Sequence, residues 1–258
     1  MATPGECTTP KRLNRHAFSL IELLVVIAIV ALLMSVLLPS LSRARRLAKW
    51  TLCNSQLRQM SIAVGFYASD NNDVAPPVDH RPYNYWFHKI AKYLGDEEYE
   101  RRPHGRHTGP MGIMICPETQ LTNTGKPRAL HSWSFMGGRG SYGMNLWLDP
   151  NGLYQRQFKP EKYHRKFHTT SHTTLVPVFA DSFWVGGWPD DFDIAPNNLW
   201  LGHSHHRKGM FMGRFCINRH DMAINVTFAD GTARRVPLAE LWKLKWHRQF
   251  QPSVKQLN

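Results

Sequence analysis

The sequence contains no Cys-x-x-Cys pair and no His-Glu-x-x-His run. The first absence argues against a thiolate zinc site, and the second against the familiar metal-hydrolase helix. The short "GGRG" lacks the spacing and the strand–helix setting of a phosphate-binding loop. No serine–histidine–aspartate triad can be read from spacing, because such triads are set by the fold. Acidic residues are also scarce, 19 against 32 Lys and Arg, which leaves a formal charge of +13. That balance suits nucleic acid, anionic lipid or an acidic partner without choosing among them. The charge is scattered and forms no basic tract. What remains is a chain of 258 residues with 42% apolar content, 18 Gly and 17 Pro. This allows one globular domain with a real core, more loop- and strand-rich than a helical bundle.

Long apolar runs are absent too, except one. "FSLIELLVVIAIVALLMSVLL", residues 18–38, is long enough to cross a bilayer. A secretory signal peptide has a shorter apolar stretch followed by a small-residue cleavage site. Here the small residue, Ala17, precedes the run, so the polar leader "MATPGECTTPKRLNRHA" is the piece to be removed. Lys11, Arg12 and Arg15 flank one side; Arg43, Arg45, Arg46 and Lys49 flank the other. The positive-inside rule therefore does not orient the helix. Glu22 is the single carboxylate in the run. A carboxylate in an apolar bundle needs a partner or a proton, and in a membrane helix it marks a candidate functional site. A Glu near the helix end can alternatively reach the headgroups.

"A–FSLIELLVVIAIVALLMSVLLP" resembles the prepilin signature shared by type IV pilins and type II secretion pseudopilins. The resemblance implies cleavage by a prepilin peptidase between Ala17 and Phe18 and methylation of the new Phe18 amine. It implies an assembly role for Glu22, whose carboxylate would meet the Phe18 amine of a neighbouring subunit. Pro39 matches the helix-kinking proline of that family, and Ala17 stands where most members have Gly. His220, nine intervening residues and Asp230-Gly231 resemble the C-terminal hallmark of one large pseudopilin-like bacterial family. "CNSQLRQM", "CPE", "SYGMN", "FADS" and "LWKLKWHRQF" resemble its other landmarks in the same order.

Beyond Pro39 the helical pattern continues to Asp70, with Leu41, Ala44, Ala48, Leu52, Ser55, Ile62 and Phe66 as its apolar face. Its cationic residues, Arg43, Arg46, Lys49 and Arg58, are either solvated or set against headgroups or an acidic partner. Trp86, Ile90 and Leu94 predict a short helix with core aromatics. "MGIMICPE" reads as extended. "TTLVPVFADS" reads as a strand, with Pro177 pointing to a sheet edge. Ile224, Val226 and Phe228 alternate with Asn225 and Thr227, which predicts a strand with one buried face. Asp230-Gly231 predicts a two-residue hairpin turn into "TARRV", and "LAELWKLKWHRQF" closes with a short helix.

Cys7 falls in the leader. An extracytoplasmic body allows one disulfide among Cys53, Cys116 and Cys216, and Cys53–Cys116 is the favoured pair. Asp181, His220 and Asp230 each fall near a strand end and could hold a divalent cation such as calcium. The plainer alternative gives Asp230 to the turn and His220 to a strand hydrogen bond. His203, His205 and His206 in "LGHSHHRKG" could bind zinc, although a solvent loop is the favoured reading. No resident cofactor is expected.

These readings predict an α+β, pilin-like fold: a long N-terminal helix, its first half transmembrane, packed on an antiparallel sheet. The expected divisions are a cytoplasmic leader (1–17), the helix (18–70, spanning at about 18–38) and an extracytoplasmic body (71–258). The expected role is a non-enzymatic pseudopilin subunit, single-pass in a bacterial inner membrane, with its C-terminal body in the periplasm. Its partners would be other pilin or pseudopilin subunits, the prepilin peptidase and secretion platform proteins. The rivals are a pilus subunit for adhesion or DNA uptake and a membrane-anchored metal-dependent enzyme.

Overall fold

The computed structural model describes residues 20–79, 84–97, 99, 112–119, 128–149, 159–203 and 209–257. The chain divides into two compact units, Met1–Arg46 and Leu47–Asn258. Helix α1, Leu20–Asp70, begins in the first and ends in the second.

In the first unit, α1 carries only exposed residues, nearly all of them Leu, Ile, Val, Ala and Met up to Leu38. By length and composition it is able to cross a membrane. Pro39 lies inside the helix and lacks the N–H that would continue the ladder. Around it, the hydroxyls of Ser35, Ser40 and Ser42 donate to the carbonyls of Leu32, Leu37 and Pro39. Ser back-bonding of this kind recurs where helices bend.

In the second unit, α1 buries Cys53, Leu57, Met60, Ser61, Ala63, Val64 and Ala68. This corrects the face expected from the sequence. Leu52, Ile62 and Phe66 are 49%, 45% and 58% exposed, and Leu41 in the first unit is exposed too. Apolar residues occupy more than one side of this helix, so hydropathy alone did not mark the packed side. The helix stops at Asp70, as expected, where Asn72 and Asp73 take left-handed backbone angles and Asp73 N donates to Ala68 O.

Helix α2, Trp86–Ile90, is short and almost wholly buried. Strands β1, Trp133–Phe135, and β2, Gly138–Gly140, form an antiparallel hairpin. Strands β3 (Tyr142–Asn145), β4 (Pro177–Asp181), β5 (Gly186–Gly187), β6 (Ala223–Phe228) and β7 (Ala233–Pro237) make one sheet in the order β5-β3-β4-β6-β7. Its pairs are antiparallel except β3 with β5. The fold class is thus α+β and pilin-like, with a mixed sheet.

Three local expectations change. β4 is central, not an edge, and tolerates Pro177 because the proline is its first residue. The register shifts between Pro177 and Phe179. There Thr227 Oγ1 accepts from Phe179 N at 3.1 Å. Strand β6 is buried on both faces, with Asn225 and Thr227 at 0% exposure. The segment 112–119 is a succession of turns, not a strand, with Ile115 N donating to Gly112 O and Thr119 N to Cys116 O.

The aromatics do form the core. Trp86 packs against Phe87, Trp133 and Phe179 with ring centroids 4.9 to 6.1 Å apart. The indole N–H groups of Trp86, Trp133, Trp147, Trp242 and Trp246 each donate to a backbone carbonyl. Burial of these large side chains therefore leaves no cost from an unpaired donor.

Candidate functional site

Ala17 and Phe18 lie outside the described residues. Glu22 sits in the first turn of α1 and is exposed. An acid there is favoured by the helix N-terminus. Of the histidine-rich segment, His203 is described, whereas His205 and His206 are not.

The body holds a buried polar network centred on Asp181, the last residue of β4. Asp181 Oδ1 accepts from Arg219 at 3.2 Å, and Oδ2 lies 3.2 Å from His220 Nε2. The backbone N–H of Asn225 donates to Oδ2 at 2.7 Å. All three side chains are inaccessible to solvent. Burial acts to raise the Asp181 pKa, but the charge and hydrogen bond of His220, the Arg219 guanidinium and the Asn225 N–H together hold it below the usual carboxylate range. Burial acts to lower the His220 pKa, yet Asp181 wins and pushes it up to about 10. The centre at neutral pH is an imidazolium and a guanidinium sharing one carboxylate.

The local backbone is built to deliver these groups. Asp221 and Met222 both have positive φ, 55° and 56°, and His220 N donates to Ala223 O across them. Left-handed non-glycine residues cost free energy and persist only where their surroundings hold them. Here Asn218 Oδ1 accepts from Met222 N, and Arg235 donates to the carbonyls of His220 and Asp221. Arg235 also lies over the Trp50 ring, 4.9 Å from its centroid, and Trp50 meets the His220 ring edge-on.

Sequence reasoning paired Asp181 with His220 but missed Arg219. That guanidinium reaches the carbonyls of Ala129, His131, Ser141 and Ser182 as well as Asp181. It joins the end of β4, the residue just before β3 and the 129–131 segment through one planar fork. An arginine directly before the histidine, entering an apolar strand, was the available signal. Asp230 lies apart in role: it is exposed, and its Oδ1 accepts from Thr232 N and Thr232 Oγ1 at 3.0 and 2.7 Å. It shapes the hairpin, where Gly231 N donates to Phe228 O and Phe228 N to Thr232 O. The loop thus holds three residues, 229–231, with Gly231 at φ 80°.

Cys53 on α1 and Cys116 in the 112–119 turn meet beside this network. Their sulfurs are 2.9 Å apart, and Cys116 Sγ is 3.5 Å from His220 Nε2. Burial, with Cys53 and Asp181 adding to it, pushes the Cys116 thiol well above its ordinary pKa.

A second acidic cluster was not anticipated. Asp190 Oδ2 meets Lys162 Nζ at 2.5 Å, and Oδ1 meets His247 Nε2 at 3.3 Å. Asp193 Oδ2 accepts from the backbone of Asp190 and Met212. Burial still pushes the Asp193 carboxyl up to about 7. Lys162 already supplies the cation that Asp190 needs. The repeated acids of "PDDFD" were the signal.

A helix long and apolar enough for a bilayer, continuing into an α+β body, gives the chain a pilin-like layout. Residues 12–38 match the family described as the prokaryotic N-terminal methylation motif. The chain is also 44% identical over 59 residues to the type IV wide pilus major component PilA4 of Thermus thermophilus. That match covers 23% of this chain and 45% of the relative's length. No solved structure matches. The likeness to prepilins in the family comparison is carried by residues 12–38.

Proposed function

We propose that the protein is a structural subunit of a type II secretion-like pseudopilus. A prepilin peptidase cuts between Ala17 and Phe18 and methylates the new Phe18 amine. The methylation-motif match over residues 12–38 carries this reading. The helix then anchors the subunit in the inner membrane, with its N-terminus cytoplasmic and its body on the far side. Secretion platform proteins would organise the growing polymer.

The chemistry of assembly follows from cost. A carboxylate buried within an apolar bundle is stabilised by a cation or by a proton. Cleavage creates a cation at Phe18, four residues before Glu22. In a bundle of parallel helices, Glu22 of one subunit can neutralise Phe18 of the next, which fixes axial register. The exposed Leu52, Ile62 and Phe66 offer apolar surface on the same helix for neighbouring subunits. Replacing Glu22 with Ala should leave the body folded and membrane-anchored but stop polymer formation, read by shearing and electron microscopy. Normal filaments from Glu22→Ala would remove the charge-pair role.

A second reading, a pilus subunit, is favoured by the named role of the Thermus relative as a pilus component. A version that takes up DNA draws on the cationic surface formed by Arg165, Lys166 and Arg248 with Thr169 and Thr170. Binding to phosphates weakens steeply with salt. A salt-independent interaction would count against it.

A further inference from the structure

We propose that Cys53 and Cys116 form a disulfide in the mature protein, tying α1 covalently to the turn at 112–119. The structure carries both as free thiols, 63 residues apart in sequence with sulfurs 2.9 Å apart. Unbonded heavy atoms prefer about 3.5–4.0 Å, so this contact is already closer than two thiols would choose. A disulfide needs a further approach of about 0.9 Å, to about 2.05 Å. Both residues are at 0% exposure, so a bridge once formed is shielded from exchange.

The competing occupant is a soft metal ion. Cys53, Cys116 and His220 each offer one ligand atom within 4.8 Å of the others. A metal would need the lone pair of His220 Nε2, and that nitrogen is committed to Asp181 Oδ2 at 3.2 Å. The carboxylate is in turn balanced by Arg219. Adding a dication would break an ion pair that is already complete, whereas a disulfide adds no charge. The two sulfurs can close on each other without disturbing Asp181, Arg219 or His220.

Formation is a two-electron oxidation. Two S–H bonds break and one S–S bond forms, and the two protons end on the thiols of the reduced oxidant. The electrons pass to a disulfide oxidant, either a thiol–disulfide oxidoreductase or glutathione disulfide, which is reduced to two thiols. The inference rests on the reading that places the body outside the cytoplasm, because structural disulfides persist in oxidising compartments.

The test is a thiol count. Full-length protein is refolded in detergent with a glutathione redox buffer, then denatured without reductant and labelled with maleimide. Expected are two labelled cysteines, Cys7 and Cys216, and one linked peptide pair containing Cys53 and Cys116. Cys216→Ser should leave that linked pair intact. Reduction should lower the Tm by about 5–15 °C. Four labelled thiols, with or without bound zinc, would overturn the proposal, as would a bridge through Cys216. The same labelling on protein isolated from cell membranes, where removal of the leader takes Cys7 and leaves Cys216 as the expected labelled cysteine, separates the premises. Bridged in the buffer but reduced in the cell would also overturn it, and would assign the fault to the compartment rather than the geometry.

Discussion

His220 Nε2 and Asp181 Oδ2 lie 3.2 Å apart with both side chains fully buried. Neither group tolerates isolation there, since removing one partner of a buried pair leaves an uncompensated charge. Asp181→Ala or His220→Ala should each cost on the order of 3–5 kcal/mol. A drop in the urea midpoint at unchanged slope is the measurement. Arg219→Lys keeps the charge but loses the fork that reaches several carbonyls, and should cost about 1–3 kcal/mol. A midpoint unmoved by all three changes would deny the network its role.

The pH dependence has a definite sign. His220 is raised from 6.5 to about 10 in the folded state. Its stabilisation is therefore fully present below pH 6.5 and is lost as pH rises through 10. Asp181 is lowered from 3.8, so its contribution is present above that value and is lost as pH falls below it. Between pH 3.8 and 6.5 the pair is at full strength. His220→Gln should flatten the alkaline decline between about pH 7 and 10, read by thermal unfolding across pH.

Much of this was legible in the sequence, and the failures share a cause. The end of α1 at Asp70, the aromatic core and the β6–β7 hairpin follow from local chemistry: turn residues, spacing and a glycine. The packed face of α1 does not. Leu52 and Ile62 are as apolar as Leu57 and Val64, and only the tertiary partner decides which pair is buried. The polar positions of β6 misled for a similar reason. Thr227 alternates like a solvent-facing residue, but its hydroxyl satisfies the irregular backbone at Phe179. Arg219 was one cation among 32, and its role depends on carbonyls far away in sequence.

The corrected helix face gives a direct contrast. Leu57 is at 0% exposure and Phe66 at 58%. Leu57→Ala should cost about 2–5 kcal/mol through lost burial and a cavity. Phe66→Ala should change stability by less than about 0.5 kcal/mol. Denaturant titration of both variants, each as the full chain in detergent, checks the assignment. Equal losses would restore the face first read from hydropathy.

Asp193 provides a prediction of opposite direction. Burial pushes its carboxyl from 3.8 up to about 7, so the folded state holds a proton that the unfolded chain releases. That difference costs stability as pH rises from about 4 to 7. Asp193→Asn keeps an oxygen to accept from the amides of Asp190 and Met212. It should stabilise the protein at pH 8 by about 1–4 kcal/mol and give no gain at pH 4. A uniform effect across pH would contradict the assignment.

Gly231 has room for a side chain, with nothing within 4 Å of an added Cβ, but its φ is 80°. Gly231→Ala should therefore cost only the left-handed backbone penalty, about 1–2 kcal/mol. Gly231→Asn should recover part of it, since Asn tolerates that region. A loss larger than about 3 kcal/mol in Gly231→Ala would mean that the turn packs more tightly than the structure shows.

The proposed assembly depends most on cleavage between residues 17 and 18, which would create the amine proposed to meet Glu22. Intact-mass and N-terminal peptide analysis of protein from cells with an active prepilin peptidase measures this directly. The expected result is a chain that begins at Phe18 and carries one added methyl group. A chain that keeps the leader from Met1, or one cut at another position, would contradict it.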